Sequence, residues 1–378
     1  MSSRRLTAFL LIVVSSIGGG CSSDDAQEPS SSAAAFAALL ADGTLVGYSA
    51  SGEEVARLRI GTRLDSPVSG EYIDILDNRR IAVLDAAARP NRLILVDVKR
   101  WAVVRRVQLP QRAIFRNIVV GDRTGHFYVA GDRSSEAMTP FGSAANAATL
   151  AVLDQEGTVV ASAVIRSPSN TRGPVAPYDW SVYSIAVDAK EEQIYVSYHG
   201  PNTSGADSIA VRGNRLVRCA GSGAGGIGCL RPVHGRVEVF GKGILAASGT
   251  PPVLVALRPD AVVDRWRSGF DKSAHLMEFV RVEKRVFGLE SCPKLGGLTS
   301  INLDQDDARM IAPPALPGTP RPRGVCGESI AARSRDLRLV IAKTIDDVGS
   351  VQIVDGTTGR IVASNPVAAP AVDVAALG

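Results

Sequence analysis

The chain has 378 residues, of which 45% are hydrophobic, 21% charged and 5% aromatic, with 37 Gly, 21 Pro and 5 Cys. That composition excludes a collagen, a disordered acidic tail and a disulfide-dense miniprotein. Its 42 basic residues nearly balance 38 acidic ones, for a net charge of +4, and they are scattered rather than clustered, which excludes a nucleic-acid footprint.

In chain order, residues 1–20 carry Arg4 and Arg5, an apolar run from Leu6 to Val14, and Ser-Ser-Ile-Gly-Gly-Gly before Cys21. The run is too short to span a bilayer, which takes about 20 apolar residues, and it has the layout of a secretory leader. Gly19, Gly20 and Cys21 resemble the cleavage box of bacterial lipoproteins. The resemblance implies that Cys21 is the acylated N-terminus; an ordinary exported chain is the alternative. Residues 21–34 are Ser-rich and polar, and are expected to form a flexible tether. The implied location is a lipid anchor on the cell membrane or outer membrane, facing the periplasm or the cell exterior.

From residue 35 to 378 the pattern is short apolar runs of period two, broken by Gly, Asn, Asp and Pro. One cluster recurs: Leu93-Ile-Leu-Val-Asp97 with Val103 to Leu109, Leu150 to Asp154 with Val159 to Val164, and Val351 to Asp355 with Ile361 to Ala363. A looser copy runs from Thr299 to Asp304. Each reads as a hairpin whose closing Asp bonds the turn backbone. Two further strands precede each hairpin, as in Phe115 to Val120 with His126 to Ala130.

The unit is therefore four antiparallel strands, the signature of a propeller blade. Six units have all four, whereas residues 35–60 supply three, and Ala371-Val-Asp-Val-Ala-Ala-Leu377 reads as the missing inner strand. The expectation is one all-β domain over residues 35–378, a seven-bladed β-propeller closed by its C-terminal strand. These repeats resemble the YVTN-type seven-bladed propeller family. That family includes surface scaffolds, ligand binders and a lactonase branch, so the resemblance implies a fold and leaves the function open.

Loops after the second and fourth strands of a blade share one face of the disc. That face is expected to hold the longest loops, at residues 131–148, 167–180, 199–208 and 312–324, and loops on a rigid ring are where function concentrates. With Cys21 acylated, four cysteines remain, an even number in an exported chain. Cys219 pairs with Cys229 and Cys292 with Cys326 in the favoured arrangement, a four-Cys zinc site being the alternative. Gly221-Ser-Gly-Ala-Gly-Gly226 matches a dinucleotide fingerprint, but lies between Cys219 and Cys229 with no helix to follow, so it reads as a loop.

His199, His234 and His275 fall at strand ends on the looped face. The sharp hypothesis is a metal site near the channel mouth with Asp179, Asp207, Glu278 or Glu328 as carboxylate partners. The plain one is that each His caps a strand. Tyr178, Asp179 and Trp180, with Tyr183 and Tyr198 nearby, supply either binding anchors or packing between blades. No G-x-S-x-G or other nucleophile motif is present. The function expected is thus a noncatalytic module binding an envelope protein or small ligand, without nucleic acid or cofactor. The alternative is a lactonase-like or metal-dependent hydrolase.

Overall fold

Alternation and burial explain the strands. In β5 (Arg80–Asp85) and β6 (Arg92–Asp97) only the first residue reaches solvent, whereas β7 (Ala102–Gln108) is mostly exposed. The middle strands of a blade are covered on both faces by neighbouring blades, so they read as continuous apolar runs. The outer strand returns to a half-exposed pattern.

The structure is a computed structural model that describes residues 33–61, 63, 70–110, 113–133, 147–166, 181–200, 203–213, 215–218, 234–248, 253–257, 262–267, 277–290, 297–305, 307–312, 326–345 and 348–378. Blade 1 comprises β1 (Phe36–Leu40), β2 (Thr44–Tyr48) and β3 (Glu54–Arg59); blade 2 comprises β4 (Ile73–Ile75) and β5 to β7. Blade 3 is β8 (Ala113–Val120), β9 (Phe127–Arg133), β10 (Ala147–Leu153) and β11 (Val159–Arg166). Blade 4 is β12 (Ser181–Val187), β13 (Gln193–Gly200), β14 (Thr203–Arg212) and β15 (Arg215–Arg218). Blade 5 is β16 (His234–Phe240), β17 (Gly243–Ser248), β18 (Val253–Leu257) and β19 (Val262–Arg267). Blade 6 is β20 (Met277–Val282), β21 (Arg285–Glu290), β22 (Leu298–Asn302) and β23 (Asp307–Ala312). Blade 7 is β24 (Cys326–Arg333), β25 (Arg338–Ile345), β26 (Val348–Asp355) and β27 (Ile361–Val367), and β28 (Ala371–Ala376) returns to blade 1.

The seven four-stranded antiparallel sheets make a seven-bladed β-propeller, and no helix occurs among the described residues. β28 pairs with β1 from Phe36↔Ala376 to Leu40↔Ala371, so the last strand described is the inner strand of the first blade. Joining β28 and β1 in one sheet protects what would be an open edge.

The strand-closing aspartates bond as the sequence suggests. Asp97 Oδ1 accepts from Lys99 N and Arg100 N, Asp355 Oδ1 from Thr357 N and Thr358 N, and Asp154 Oδ1 from Thr158 N. The looser copy differs: Asn302 takes the turn role, accepting from Asp304 N at 3.0 Å, while Asp304 pairs with Lys284. Asp304 stands two residues beyond the strand end, too late to cap it. The stretch expected as a loop at 199–208 is likewise mostly strand, since β13 runs to Gly200 and β14 starts at Thr203.

Between blades 1 and 2, Trp101 lies against the backbone of Gly47; a Cβ at 47 would fall 2.2 Å from its Cζ2. Gly47→Ala is therefore expected to destabilise by about 1–3 kcal/mol, read from urea unfolding. In a Trp101→Ala background that cost should largely vanish, because the clash has lost its partner.

Candidate functional site

The inner strands β28, β4, β8, β12, β16, β20 and β24 line the central channel in that order. Period two sends alternate side chains into the channel. In β16 the sequence Arg236-Val-Glu-Val buries Val237 between blades and turns Arg236 and Glu238 to the channel, and in β28 Asp373 stands between Val372 and Val374. Arg236 and Asp373 are each the third residue of their strands, toward the looped face, and Glu238 lies deeper in the channel.

They form one network that crosses the ring. Asp373 Oδ2 accepts from Tyr72 N at 2.6 Å and Ile73 N at 2.8 Å, and its Oδ1 from Ser329 Oγ at 2.7 Å and Val374 N at 2.8 Å, so one carboxylate ties blades 7, 1 and 2. Asn117 accepts from Glu71 N and donates to Val182 O, joining blades 2, 3 and 4. Glu71 accepts from Ser184 Oγ at 3.0 Å and Ile185 N at 3.2 Å, and Ser184 Oγ accepts from Val237 N of blade 5. Tyr183 donates its hydroxyl to Glu278, spanning from blade 4 to blade 6.

Charge converges on Arg236. Its Nε lies 3.5 Å from Glu71 and 3.7 Å from Glu238, and its Nη1 donates to Ile330 O of blade 7. Arg281 stands 3.9 Å from Glu238. The Nε atoms of both arginines have ion-pair neighbours but no hydrogen-bond partner among the described residues.

Burial dominates the acid–base properties of the channel. It pushes Glu71 up to about 8, against Arg236 and the Ile185 N–H, with Asp373 and Glu278 adding to the rise. Asp74, which accepts from Val120 N, is raised to about 6, chiefly by burial. Glu238, Glu278 and Asp373 are raised for the same first reason. Burial works against the Arg236 cation, but the Glu71, Glu238, Glu278 and Asp373 carboxylates lift it above its ordinary value.

Of the residues picked out by sequence, Glu278 lies in this network. His199 is the penultimate residue of β13, paired with Ser181, and His234 is the first of β16, paired with Ala247. Asp207 pairs with Val196 in the third strand of blade 4, and Glu328 with Lys343 at the inner strand of blade 7. The side chains of these four, and of Tyr198 and Cys326, lie outside the described residues, as do Cys21, Tyr178, Asp179, Trp180, Cys219, Cys229, His275 and Cys292 entirely. No three His, Cys, Asp or Glu side chains among the described residues form a metal-sized group. Sequence patterning passes over Glu71, Arg236, Glu238 and Asp373. For Glu238 and Asp373 the available signal was a charged residue set between two valines on an inner strand; Glu71 and Arg236 carry no such signal.

No protein-family model matches the chain, and no curated protein matches it. Solved structures match through the fold. A protein described as a 6-phosphogluconolactonase from Bacteroides uniformis is 11% identical with a TM-score of 0.57, the match covering 90% of this chain and 98% of that one. The dihydro-heme d1 dehydrogenase NirN in complex with DHE gives 14% identity and 0.52 over 92% and 76%. Apo AztD from Citrobacter koseri gives 11% and 0.50 over 91% and 98%. At these identities the likeness is one of propeller fold.

Proposed function

We propose that the protein is a binding module: a rigid propeller, carried on the cell envelope by a lipid at Cys21, whose looped face holds a protein or small ligand without chemical turnover. In this reading Cys219–Cys229 and Cys292–Cys326 disulfides stiffen that face, and Tyr178 and Trp180 are its anchors. The observation that supports it is the engagement of the channel carboxylates. Asp373, Glu71 and Asp74 each accept from the backbone of another blade, and Glu278 accepts from Tyr183. Groups committed to holding a ring together are poorly placed to shuttle protons for a substrate. A second reading, a lactonase-like or metal-assisted hydrolase, draws on the raised Glu71 and Asp74, since perturbed carboxyls in a cleft are functional-site candidates.

The test combines turnover with capture. The intact chain is assayed on a lactone and ester panel with and without Zn²⁺, Mn²⁺ or Ca²⁺, and a photo-crosslinking residue replaces Tyr178, Trp180 or, on the opposite face, Lys190 in cells. The binding reading expects no turnover, with adducts from 178 and 180 and none from 190. Metal-dependent turnover abolished by Glu278→Gln would transfer the assignment to the hydrolase.

A further inference from the structure

The chain enters the ring at a defined place. In blade 1 the strands run β28, β1, β2, β3 from channel to rim, so β1 lies one strand out from the channel. Its first residue, Phe36, pairs with Ala376 at the end of β28, whereas Asp373, nearer the start of β28, bonds Tyr72 N and Ile73 N at the looped end of β4. Phe36 therefore lies on the side of the disc away from the loops. That side is the turn face, made by the hairpins between first and second strands and between third and fourth. Ala35 fixes the entry there: its N–H donates to Tyr48 O, where β2 turns toward β3, and its carbonyl accepts from Leu377 N. The Arg333 guanidinium, at the end of β24, covers the Phe36 ring on the same side.

Distances then decide which face can lie next to an anchor at Cys21. From Ser22 to Ala33 the chain has 12 residues. A Ser-rich chain of that length has a root-mean-square reach of about 20 Å and cannot exceed about 43 Å. To turn the looped face toward the anchor, it would have to cross β2 and β3, about 10 Å of sheet, and then follow the 6 residues of β3 for about 20 Å more. That detour of about 30 Å exceeds the typical reach and leaves little chain to bridge to a surface. With the turn face toward the anchor no detour is needed. The turn face carries matched charge rather than a basic patch: among the described residues, Arg79, Arg80, Lys284, Arg333 and Arg338 pair with Asp97, Asp77, Asp304, Asp336 and Asp355. The point of entry, not attraction to anionic lipid, sets the orientation.

We propose that the turn face is the membrane-facing side of the anchored protein, so that the looped face and channel mouth open away from the bilayer and meet a water-soluble partner instead of one embedded in the same membrane. This orientation rests on the reading that Cys21 carries a lipid.

The test uses the intact chain, isolated with its lipid and reconstituted in phosphatidylethanolamine and phosphatidylglycerol vesicles whose headgroups carry an energy-transfer acceptor. A fluorescent amino acid replaces, one at a time, Lys190 or Lys242 on the turn face and Arg63 or Ala368 on the looped face, all of them exposed. With the faces about 20 Å apart, transfer should be roughly twofold higher from positions 190 and 242 than from 63 and 368. Inserting about 30 Gly and Ser residues after Ser32 raises the reach to about 35 Å, beyond the detour, and should erase the difference. Equal or higher transfer from 63 and 368, in a chain that floats with the vesicles, overturns the orientation and leaves the anchor standing. A difference that survives the insertion overturns the tether as its cause. A chain that fails to float, as Cys21→Ser should, overturns the lipid reading and the orientation with it.

Discussion

Asp373→Ala is expected to destabilise the protein by about 3–6 kcal/mol, because each buried donor left without an acceptor costs about 1–3 kcal/mol. The substitution removes the acceptor for Tyr72 N, Ile73 N and Val374 N and for the Ser329 hydroxyl together. It also acts where the ring closes, since β28 supplies the inner strand of blade 1 and stands between β24 and β4. Losses of that size are a large part of the stability of an ordinary domain, about 5–15 kcal/mol. Denaturant unfolding at fixed pH measures the change, and a loss below about 1 kcal/mol, the range of a single replaceable hydrogen bond, would count against the closure role.

Glu191→Ala is expected to cost about 2–4 kcal/mol by the same reasoning on the opposite face of the disc. Glu191 is 3% exposed, in the turn between β12 and β13, and its carboxylate accepts from Arg123 N and Thr124 N at 2.6 Å each, from Thr124 Oγ1, and from Tyr128 Oη at 2.8 Å. Gly121 leaves room for it; a Cβ there would lie 2.5 Å from Glu191 Cδ. Burial disfavours the charge, yet the Thr124 and Tyr128 hydroxyls and the two N–H groups hold the carboxyl below its usual range. A depressed acid stabilises the fold above its unfolded value, about 4.3 for Glu, and that contribution disappears as pH falls through the folded value. Wild type should thus lose more stability than the variant when titrated from pH 6 toward 3 by urea midpoint. Equal slopes would show that Glu191 is not ionised in the fold.

These two carboxylates also mark what the sequence discloses and what it hides. Strands and turns announce themselves within a few residues, so the alternation in Leu93 to Asp97 and the Val-Asp-Val of β28 suffice to count blades and find the closing strand. The channel network has no local spacing. Glu71, Asn117, Ser184, Arg236, Glu278, Ser329 and Asp373 come one from each blade, and only the closed ring brings them together. Glu278 was legible because it stood beside a rare histidine at a strand start. Arg236 looked like one scattered arginine among 35, because apart from Glu238 its partners Glu71, Glu278, Ile330 and Asp373 all lie more than 40 residues away.

The same one-per-blade arrangement gives the ring an addressing system. Blades with interchangeable edges could be duplicated, deleted or shuffled as a stack of like parts. Here Tyr183 reaches past blade 5 to find Glu278, and Arg236 is placed to meet blade 7 on one side and blade 2 on the other. Inserting or removing a blade would separate those pairs even if every sheet still formed. The channel thereby fixes both the number and the order of the repeats, a constraint that their similar hairpins do not impose.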